Sequence, residues 1–301
     1  MSGIVIASND DLIVAKSVAM HLNYEFQTIE HRRFPDREAY IRFPENIISQ
    51  FENPDIILVA NTYPDEAIIQ TLLTLETIQK ITSSKKLKGG KKTLAIPYYG
   101  YARQDKQFLE GESISASTLA NLYAQSCDHL VLLDVHAKDP FKETNAIISH
   151  ATIIPEISEY FNSGIEIDLI LSPDAGSKKR AEELGNLLNV PVSYLTKKRI
   201  DAHTIIHEPK ELGVLEKKVL IVDDMISTGG TIVRAAESLR QQGAREIHAA
   251  CTHGLFTSGA AEKLMTNLDS VIASTSLPSP VSTLDAGRAI ARTIKKRNMN
   301  N

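Results

Sequence analysis

The residues of this chain that could do chemistry concentrate in one stretch, Val219-Leu220-Ile221-Val222-Asp223-Asp224-Met225-Ile226-Ser227-Thr228-Gly229-Gly230-Thr231. Four apolar residues predict a buried strand, two carboxylates follow it, and after a turn of hydroxyls and glycines the pattern over 232–239 predicts a helix. A helix N-terminus presents unpaired N–H groups and the positive end of a dipole, which suits a phosphate. Ser227, Thr228 and Thr231 add hydroxyl donors, while Gly229 and Gly230 let the backbone approach an anion closely. Asp223 and Asp224 would repel that anion unless they serve another group, and the hydroxyls of a sugar carrying the phosphate are such a group. The run predicts a sugar-phosphate site. The plainer alternative is a strand–turn–helix connection whose glycines only permit a tight turn. Gly-Gly alone would favour it; the whole run does not.

Four more clusters have matching chemistry. Ile96-Pro97-Tyr98-Tyr99-Gly100-Tyr101-Ala102-Arg103-Gln104-Asp105-Lys106 follows an apolar run and combines flat rings, a guanidinium and an amide. That combination suits a nucleotide, although a surface loop with an Arg–Asp pair reads equally well. Arg32-Arg33-Phe34-Pro35-Asp36-Arg37-Glu38 sets an exposed ring beside two carboxylates, fit to stack on a purine or merely to cap a hairpin. His136 lies two residues past Asp134 at a strand end: alone it reads as a structural histidine, but with Asp174 it suits a Mg²⁺ shared with phosphate oxygens, whereas the spacing of His and Cys disfavours zinc. Lys197-Lys198-Arg199 precedes a polar stretch over 200–213, which predicts a mobile cationic loop or a solvated basic surface.

These clusters need a scaffold that brings strand ends together. Short apolar runs alternate with amphipathic ones, which predicts an α/β fold with doubly wound, mostly parallel sheets. Strands are expected over 4–8, 56–60, 93–97, 129–134, 169–172, 219–222 and 247–252. Helices are expected at 12–22, capped by Asn9, and at 67–81, 115–125, 178–188 and 232–241, the last stopped by Gly243. The two halves look alike: Asp55-Ile56-Ile57-Leu58-Val59 parallels Asp168-Leu169-Ile170-Leu171-Ser172, and Lys91-Lys92-Thr93-Leu94-Ala95-Ile96 parallels Lys217-Lys218-Val219-Leu220-Ile221-Val222. Leu133-Asp134-Val135-His136-Ala137 likewise parallels Ala250-Cys251-Thr252-His253-Gly254. This predicts two copies of one unit, 1–148 and 149–284, with 285–301 packing back on the first. In such folds ligands bind beyond the carboxyl ends of strands, where all these clusters fall.

Composition is that of an ordinary globular protein: 301 residues, 43% hydrophobic, 23% charged, net charge −4. Nothing in it advertises a nucleic-acid or membrane partner. The N-terminus lacks a basic leader, and Cys127 and Cys251 lack metal-ligand spacing, so a cytoplasmic protein with buried thiols is expected.

In order along the chain, Phe34-Pro35-Asp36-Arg37-Glu38, Tyr101-Ala102-Arg103-Gln104-Asp105, Asp134-Val135-His136-Ala137, Pro173-Asp174-Ala175-Gly176, Lys197-Lys198-Arg199 and the run 223–231 resemble the motif set of the ribose-phosphate diphosphokinase (PRPP synthetase) family. The resemblance covers essentially the whole chain, whereas simple phosphoribosyltransferases have only the last loop. It implies that two duplicated phosphoribosyltransferase-like domains transfer the diphosphoryl group of Mg·ATP to O1 of ribose 5-phosphate, giving PRPP and AMP. By that resemblance Phe34, Asp36, Arg37, Glu38, Arg103 and Gln104 hold ATP, with Phe34 on adenine, and His136 and Asp174 contact Mg²⁺. Lys197 and Arg199 stabilise the transition state; Arg199, Asp223 and Asp224 meet the ribose; Ser227, Thr228, Gly229, Gly230 and Thr231 hold the 5-phosphate. The resemblance also implies a homo-oligomer built from dimers, such as a tetramer or hexamer, whose ATP site a neighbouring subunit completes. Arg37 stands where the family commonly has Gly, Ser227 and Gly229 where the well-studied bacterial class has Asp and Ala. Lys106 and Gly111-Glu112-Ser113-Ile114-Ser115 are nearer the archaeal-type enzymes. The competing expectations are a phosphoribosyltransferase that consumes PRPP and an inactive regulatory relative; the second would have lost Lys197, Arg199, His136 or Asp174.

Overall fold

The computed structural model describes residues 3–8, 11–44, 53–84, 90–173, 176–195 and 213–299, together with the backbone of 197–199 and 205–207. The chain divides into two compact units, Met1–Thr152 with Asp285–Asn301, and Ile153–Leu284.

In the first unit the elements run β1 (Gly3–Ala7), α1 (Leu12–Leu22), β2 (Glu25–Thr28), an antiparallel hairpin of β3 (Glu30–Arg33) and β4 (Ala39–Arg42), β5 (Asp55–Val59), α2 (Asp65–Ser84), β6 (Lys92–Ile96), α3 (Ser115–Ala124), β7 (His129–Leu133) and β8 (Ile147–Ala151). Six of the strands form a parallel sheet in the order β2-β1-β5-β6-β7-β8. The central strands are apolar on both faces, as a sheet covered on two sides requires. One face buries Ile4, Ile6, Leu58, Leu94, Ile96, Leu130 and Leu132 against Leu75 and Ile78 of α2 and Tyr123 of α3.

The second unit repeats the plan with α4 (Ile154–Asn162), β9 (Leu169–Ser172), α5 (Lys178–Leu188), β10 (Val192–Tyr194), the antiparallel pair β11 (Lys197–Arg199) and β12 (Ile205–His207), β13 (Lys218–Ile226), α6 (Gly230–Gln241), β14 (Glu246–Gly254), α7 (Ala260–Asn267), β15 (Ser270–Ser274) and β16 (Ser282–Leu284). Its parallel sheet is ordered β10-β9-β13-β14-β15-β16. The last helix, α8 (Ala286–Met299), packs on α1. A Cβ on Gly287 would stand 2.5 Å from Ser17 Cβ, so the glycine permits this crossing. Asp285 caps the helix by accepting from Arg288 N–H at 3.1 Å and fastens it to α1 by accepting from Ser17 Oγ at 2.7 Å.

The duplication is present, but its register differs from that expected from the sequence. By sheet position β1, β5 and β6 correspond to β9, β13 and β14, whereas the sequence parallels set β5 against β9 and β6 against β13. The cause is a device used at several strand starts. Asp55 accepts from Lys91 N–H at 3.0 Å, Asp128 from Lys92 N–H at 2.8 Å, Asp168 from Lys218 N–H at 2.8 Å and Asp269 from Ile247 N–H at 2.7 Å. An aspartate stapled to the next strand is therefore no marker of which strand it begins. Two further differences matter for function. β13 does not stop at Val222: it stays paired with β14 through Asp223↔Cys251, Met225↔His253 and Ile226↔Gly254, so both acids belong to the strand. Helix α6 begins at Gly230, two residues before the apolar periodicity starts. Asn9, the expected cap of α1, lies outside the described residues, and Asp11 occupies the N-cap position.

A buried histidine and a half-buried one make the first unit acid-sensitive. His129 is 1% exposed, with Nε2 2.8 Å from Ser149 Oγ. Burial, with the charges of Arg297 and Lys91, lowers its pKa to about 3, and burial with Lys138 lowers that of His150 to about 4. Both folded pKa values lie below the unfolded value, so between pH 6.5 and these values the unfolded chain binds more protons. Stability is therefore complete above pH 6.5 and falls on acidification, by about 1.4 kcal/mol per pH unit for each such group. Calorimetry should show the melting temperature dropping from pH 7 to 4.5, with a shallower slope in His129→Gln; equal slopes would contradict this.

Candidate functional site

In the second unit the phosphate-binding candidate is built by the end of β13 and the start of α6. Gly229 occupies the N-cap position at φ 70°, a left-handed conformation that a side chain disfavours. A Cβ there would also meet Leu264 Cδ1 at 3.1 Å. The first intrahelical bond runs from Val233 N–H to Gly229 O at 3.0 Å, and no side chain caps the helix. The N–H groups of Gly230, Thr231 and Ile232 thus precede the helical ladder and point outward along the axis, the arrangement an anion uses. Ser227 Oγ lies 3.2 Å from Thr257 Oγ1, tying the loop to a neighbouring turn in which Phe256 and Ser258 hold φ values of 43° and 58°. Such backbone costs on the order of 1–3 kcal/mol per residue and is retained where surroundings enforce it. Thr228 is exposed and Thr231 half-buried.

The two acids have different surroundings, as alternation along a strand requires. Asp224 is 8% exposed, and its Oδ1 accepts from Met225 N–H at 2.8 Å. Asp223 is half-buried; its Oδ1 accepts from Asp224 N–H at 2.9 Å and from Ser177 Oγ at 2.5 Å. Ser177 is the N-cap residue of α5, yet makes no capping bond, forgoing a contribution of about 1 kcal/mol to its helix. Beneath the acids lies Cys251, fully buried, whose thiol pKa is pushed up by burial and by Asp223. Cys127 is likewise buried, its pKa raised by burial to about 12, so neither described thiol is reactive.

In the first unit the nucleotide-binding candidates occupy the hairpin turn and the β6–α3 loop. Phe34, Asp36, Arg37 and Glu38 are all exposed at the tip of β3–β4. The turn closes through Phe34 N–H to Glu38 O at 3.0 Å and Arg37 N–H to Phe34 O at 2.9 Å, with Arg37 at φ 75°. Phe34 packs edge-on against Tyr40, and the Arg32 guanidinium lies 3.7 Å from the Tyr40 ring and 5.2 Å from that of Phe34. The ring is therefore pre-positioned while 41% exposed. Arg103 and Gln104 are exposed on the other loop, where Gln104 Oε1 accepts from Ser115 Oγ at 2.6 Å.

Both loops are braced by the first turn of α2, a role the sequence did not suggest. Arg33 pairs with Glu66 at 3.3 Å and donates to Arg37 O at 2.6 Å, while Tyr101 Oη donates to Asp65 at 2.9 Å. Glu66, Ala67 and Gln70 line a hollow of about 310 Å³ beside the hairpin; Asp65, Ile68 and Ile69 line one of about 370 Å³ beside Tyr101. The two loops are thus held on different faces of one helix. A buried relay sets the root of the second loop: Asp11 accepts from Asn61 N–H at 2.7 Å, and Asn61 Oδ1 accepts from Tyr98 N–H at 2.6 Å.

His136 is exposed just beyond β7, after Asp134, whose φ is 40°. Asp174 lies outside the described residues, as do the side chains of Lys197 and Arg199 and most of 200–213. The backbone of Lys197 and Arg199 forms β11, opposite His207 and Ile205. Among the described residues no three His, Cys, Asp or Glu side chains cluster to hold a metal by themselves, and no helix is long and apolar enough to cross a membrane.

Comparison with known proteins agrees with this layout. Residues 4–126 match the N-terminal domain of ribose phosphate pyrophosphokinase, and residues 142–277 match the phosphoribosyl transferase domain. The ribose-phosphate pyrophosphokinase of Methanopyrus kandleri is 30% identical over 97% of this chain and 98% of its own length. That of Sulfurisphaera tokodaii is 36% identical over 88% and 91%. The crystal structure of phosphoribosylpyrophosphate synthetase from Mycobacterium smegmatis superposes with a TM-score of 0.81 at 25% identity, covering 100% of this chain and 99% of that one. With two duplicated α/β units in phosphoribosyltransferase-like order and relatives matched nearly end to end, the chain belongs to the ribose-phosphate pyrophosphokinase family.

Proposed function

We propose that the chain performs its family's reaction, diphosphoryl transfer from Mg·ATP to O1 of ribose 5-phosphate, with the sugar phosphate on the β13–α6 loop. The observation that carries the placement is the uncapped start of α6 behind a left-handed Gly229, immediately after two carboxylates. The N–H groups of Gly230, Thr231 and Ile232 and the hydroxyls of Ser227, Thr228 and Thr231 hold the 5-phosphate, and Asp223 and Asp224 orient the ribose. Phe34, Asp36, Arg37, Glu38, Arg103 and Gln104 hold ATP, on elements of the first unit. Placement of the hairpin and the Arg103 loop on different faces of α2 supports an ATP site completed by a second copy of the chain, hence a homo-oligomer. The protein is assigned to the cytoplasm, where its nucleotide substrate is.

The donors fit Mg²⁺. Mg²⁺ is a hard cation that takes few protein ligands and fills its shell with water and phosphate oxygens; the Asp174 carboxylate is the oxygen donor it prefers, and the exposed His136 imidazole would take one further position beside it. When bound it neutralises triphosphate charge. The chain's own work is alignment and charge stabilisation: the anomeric hydroxyl is set in line with the β-phosphorus, AMP leaves, and Lys197 and Arg199 oppose the charge that develops. No strong general base is required, and Asp224 is the nearest candidate.

Purified chain incubated with ATP, Mg²⁺ and ribose 5-phosphate, with no nucleobase present, should release AMP in step with PRPP. A chain that turns over only when PRPP and a base are supplied would be a phosphoribosyltransferase, and one inert in both assays a regulatory relative.

A further inference from the structure

We propose that Ser177 is a positioning residue for the sugar, acting through Asp223; the inference rests on reading the β13–α6 loop as the ribose 5-phosphate site. An N-cap serine normally turns its oxygen back to accept from the second or third N–H of its own helix. Ser177 makes no such bond, and its hydroxyl donates to Asp223 Oδ1 at 2.5 Å, a distance typical of a charge-assisted contact. The same oxygen accepts from Asp224 N–H. Two donors on one oxygen fix the plane of the carboxylate and thereby the place of Oδ2. Ser177 is 5% exposed, so water does not readily replace it. One turn further along α5, Arg180 Nη1 lies 3.5 Å from Thr252 Oγ1, next to Cys251, the register partner of Asp223. The start of α5 thus grips both strands under the acids, and its cap residue serves β13 in place of its own helix. A carboxylate that must accept from sugar hydroxyls gains from being held in advance, because the ordering is complete before the ligand arrives.

The test uses Ser177→Ala, with Ser177→Thr as the hydroxyl-retaining control. Calorimetric titration of the full chain with ribose 5-phosphate, without nucleotide, should show about tenfold weaker binding for Ser177→Ala. Ser177→Thr should restore most of it. Inorganic phosphate, which probes the α6 N-terminus alone, should bind both variants within about twofold of wild type. The KM for ribose 5-phosphate should rise in the same proportion, and the KM for ATP should stay within about twofold. Unchanged sugar binding in Ser177→Ala, or equal losses for sugar phosphate and inorganic phosphate, overturns the role of Ser177 while leaving the site reading intact. A wild-type chain that binds no ribose 5-phosphate overturns the site reading and this proposal with it.

Discussion

Lys197→Ala should lower turnover by about a hundredfold to a thousandfold while ribose 5-phosphate binding, measured without nucleotide, stays within about twofold of wild type. The reaction makes no covalent demand on the protein. Charge moves onto the oxygen bridging the α- and β-phosphorus atoms as AMP departs, and a cation placed there contributes most where that charge is greatest. Lys197 and Arg199 occupy alternate positions of β11, a short strand that among the described residues pairs with β12 alone. Short two-stranded elements are marginal on their own, which suits cations that close on the phosphates during the reaction. The proposed site puts ground-state sugar binding on the β13–α6 loop, away from β11, so binding should survive the substitution. Wild-type turnover in Lys197→Ala would remove β11 from the catalytic machinery; loss of sugar binding equal to the loss of turnover would make Lys197 a binding residue.

Gly100→Ala should produce a large loss of stability. A Cβ at this position would lie 2.0 Å from the carbonyl oxygen of Thr62 and 3.0 Å from its carbon. Neither partner can move cheaply. Gly100 N–H donates to Thr62 Oγ1 at 2.8 Å, Thr62 N–H donates to Tyr98 O at 3.2 Å, and Asn61 holds Tyr98 N–H. Relief requires parting two loops that are fastened to each other in a buried place. The cost should exceed about 3 kcal/mol, the range reached only by overpacking or by breaking a buried network. For a unit of this size that is roughly 10 °C in the melting temperature of the affected transition. Arg103 and Gln104 follow three and four residues later, so the KM for ATP should rise in protein that remains folded. An unchanged melting temperature would show that the loop pair is looser than its hydrogen bonds indicate.

Why some features were legible in the sequence and others were not follows from burial. The central strands of both sheets are covered on two faces and read as unbroken apolar runs, such as Leu58 and its neighbours in β5 or Ile221 in β13. Edge strands such as β2 (Glu25, Phe26, Gln27, Thr28) are partly exposed and mixed in composition and carry no apolar run, and of the β3–β4 hairpin the turn was legible but not its two mixed, partly exposed strands. Helix α4 was missed although Ile154, Ile157 and Phe161 mark its buried face, because its proline at the start reads as a break when it is in fact a good first-turn residue. The glycines and hydroxyls between β13 and α6 are adjacent in sequence, so a turn leading into a helix could be read there directly. What could not be read is pairing between distant segments. Asp223 continues in a strand because β14 supplies partners, Ser177 meets it from 46 residues away, and Asp65 and Glu66 brace two loops that reach α2 only in the folded unit.

The most direct measurement of the central claim is a crystal structure of the chain grown with ribose 5-phosphate. The phosphate should be seated on the N–H groups of Gly230, Thr231 and Ile232, with the ribose hydroxyls turned toward Asp223 and Asp224. A sugar phosphate bound with its phosphate elsewhere, and the start of α6 left to water, would contradict it.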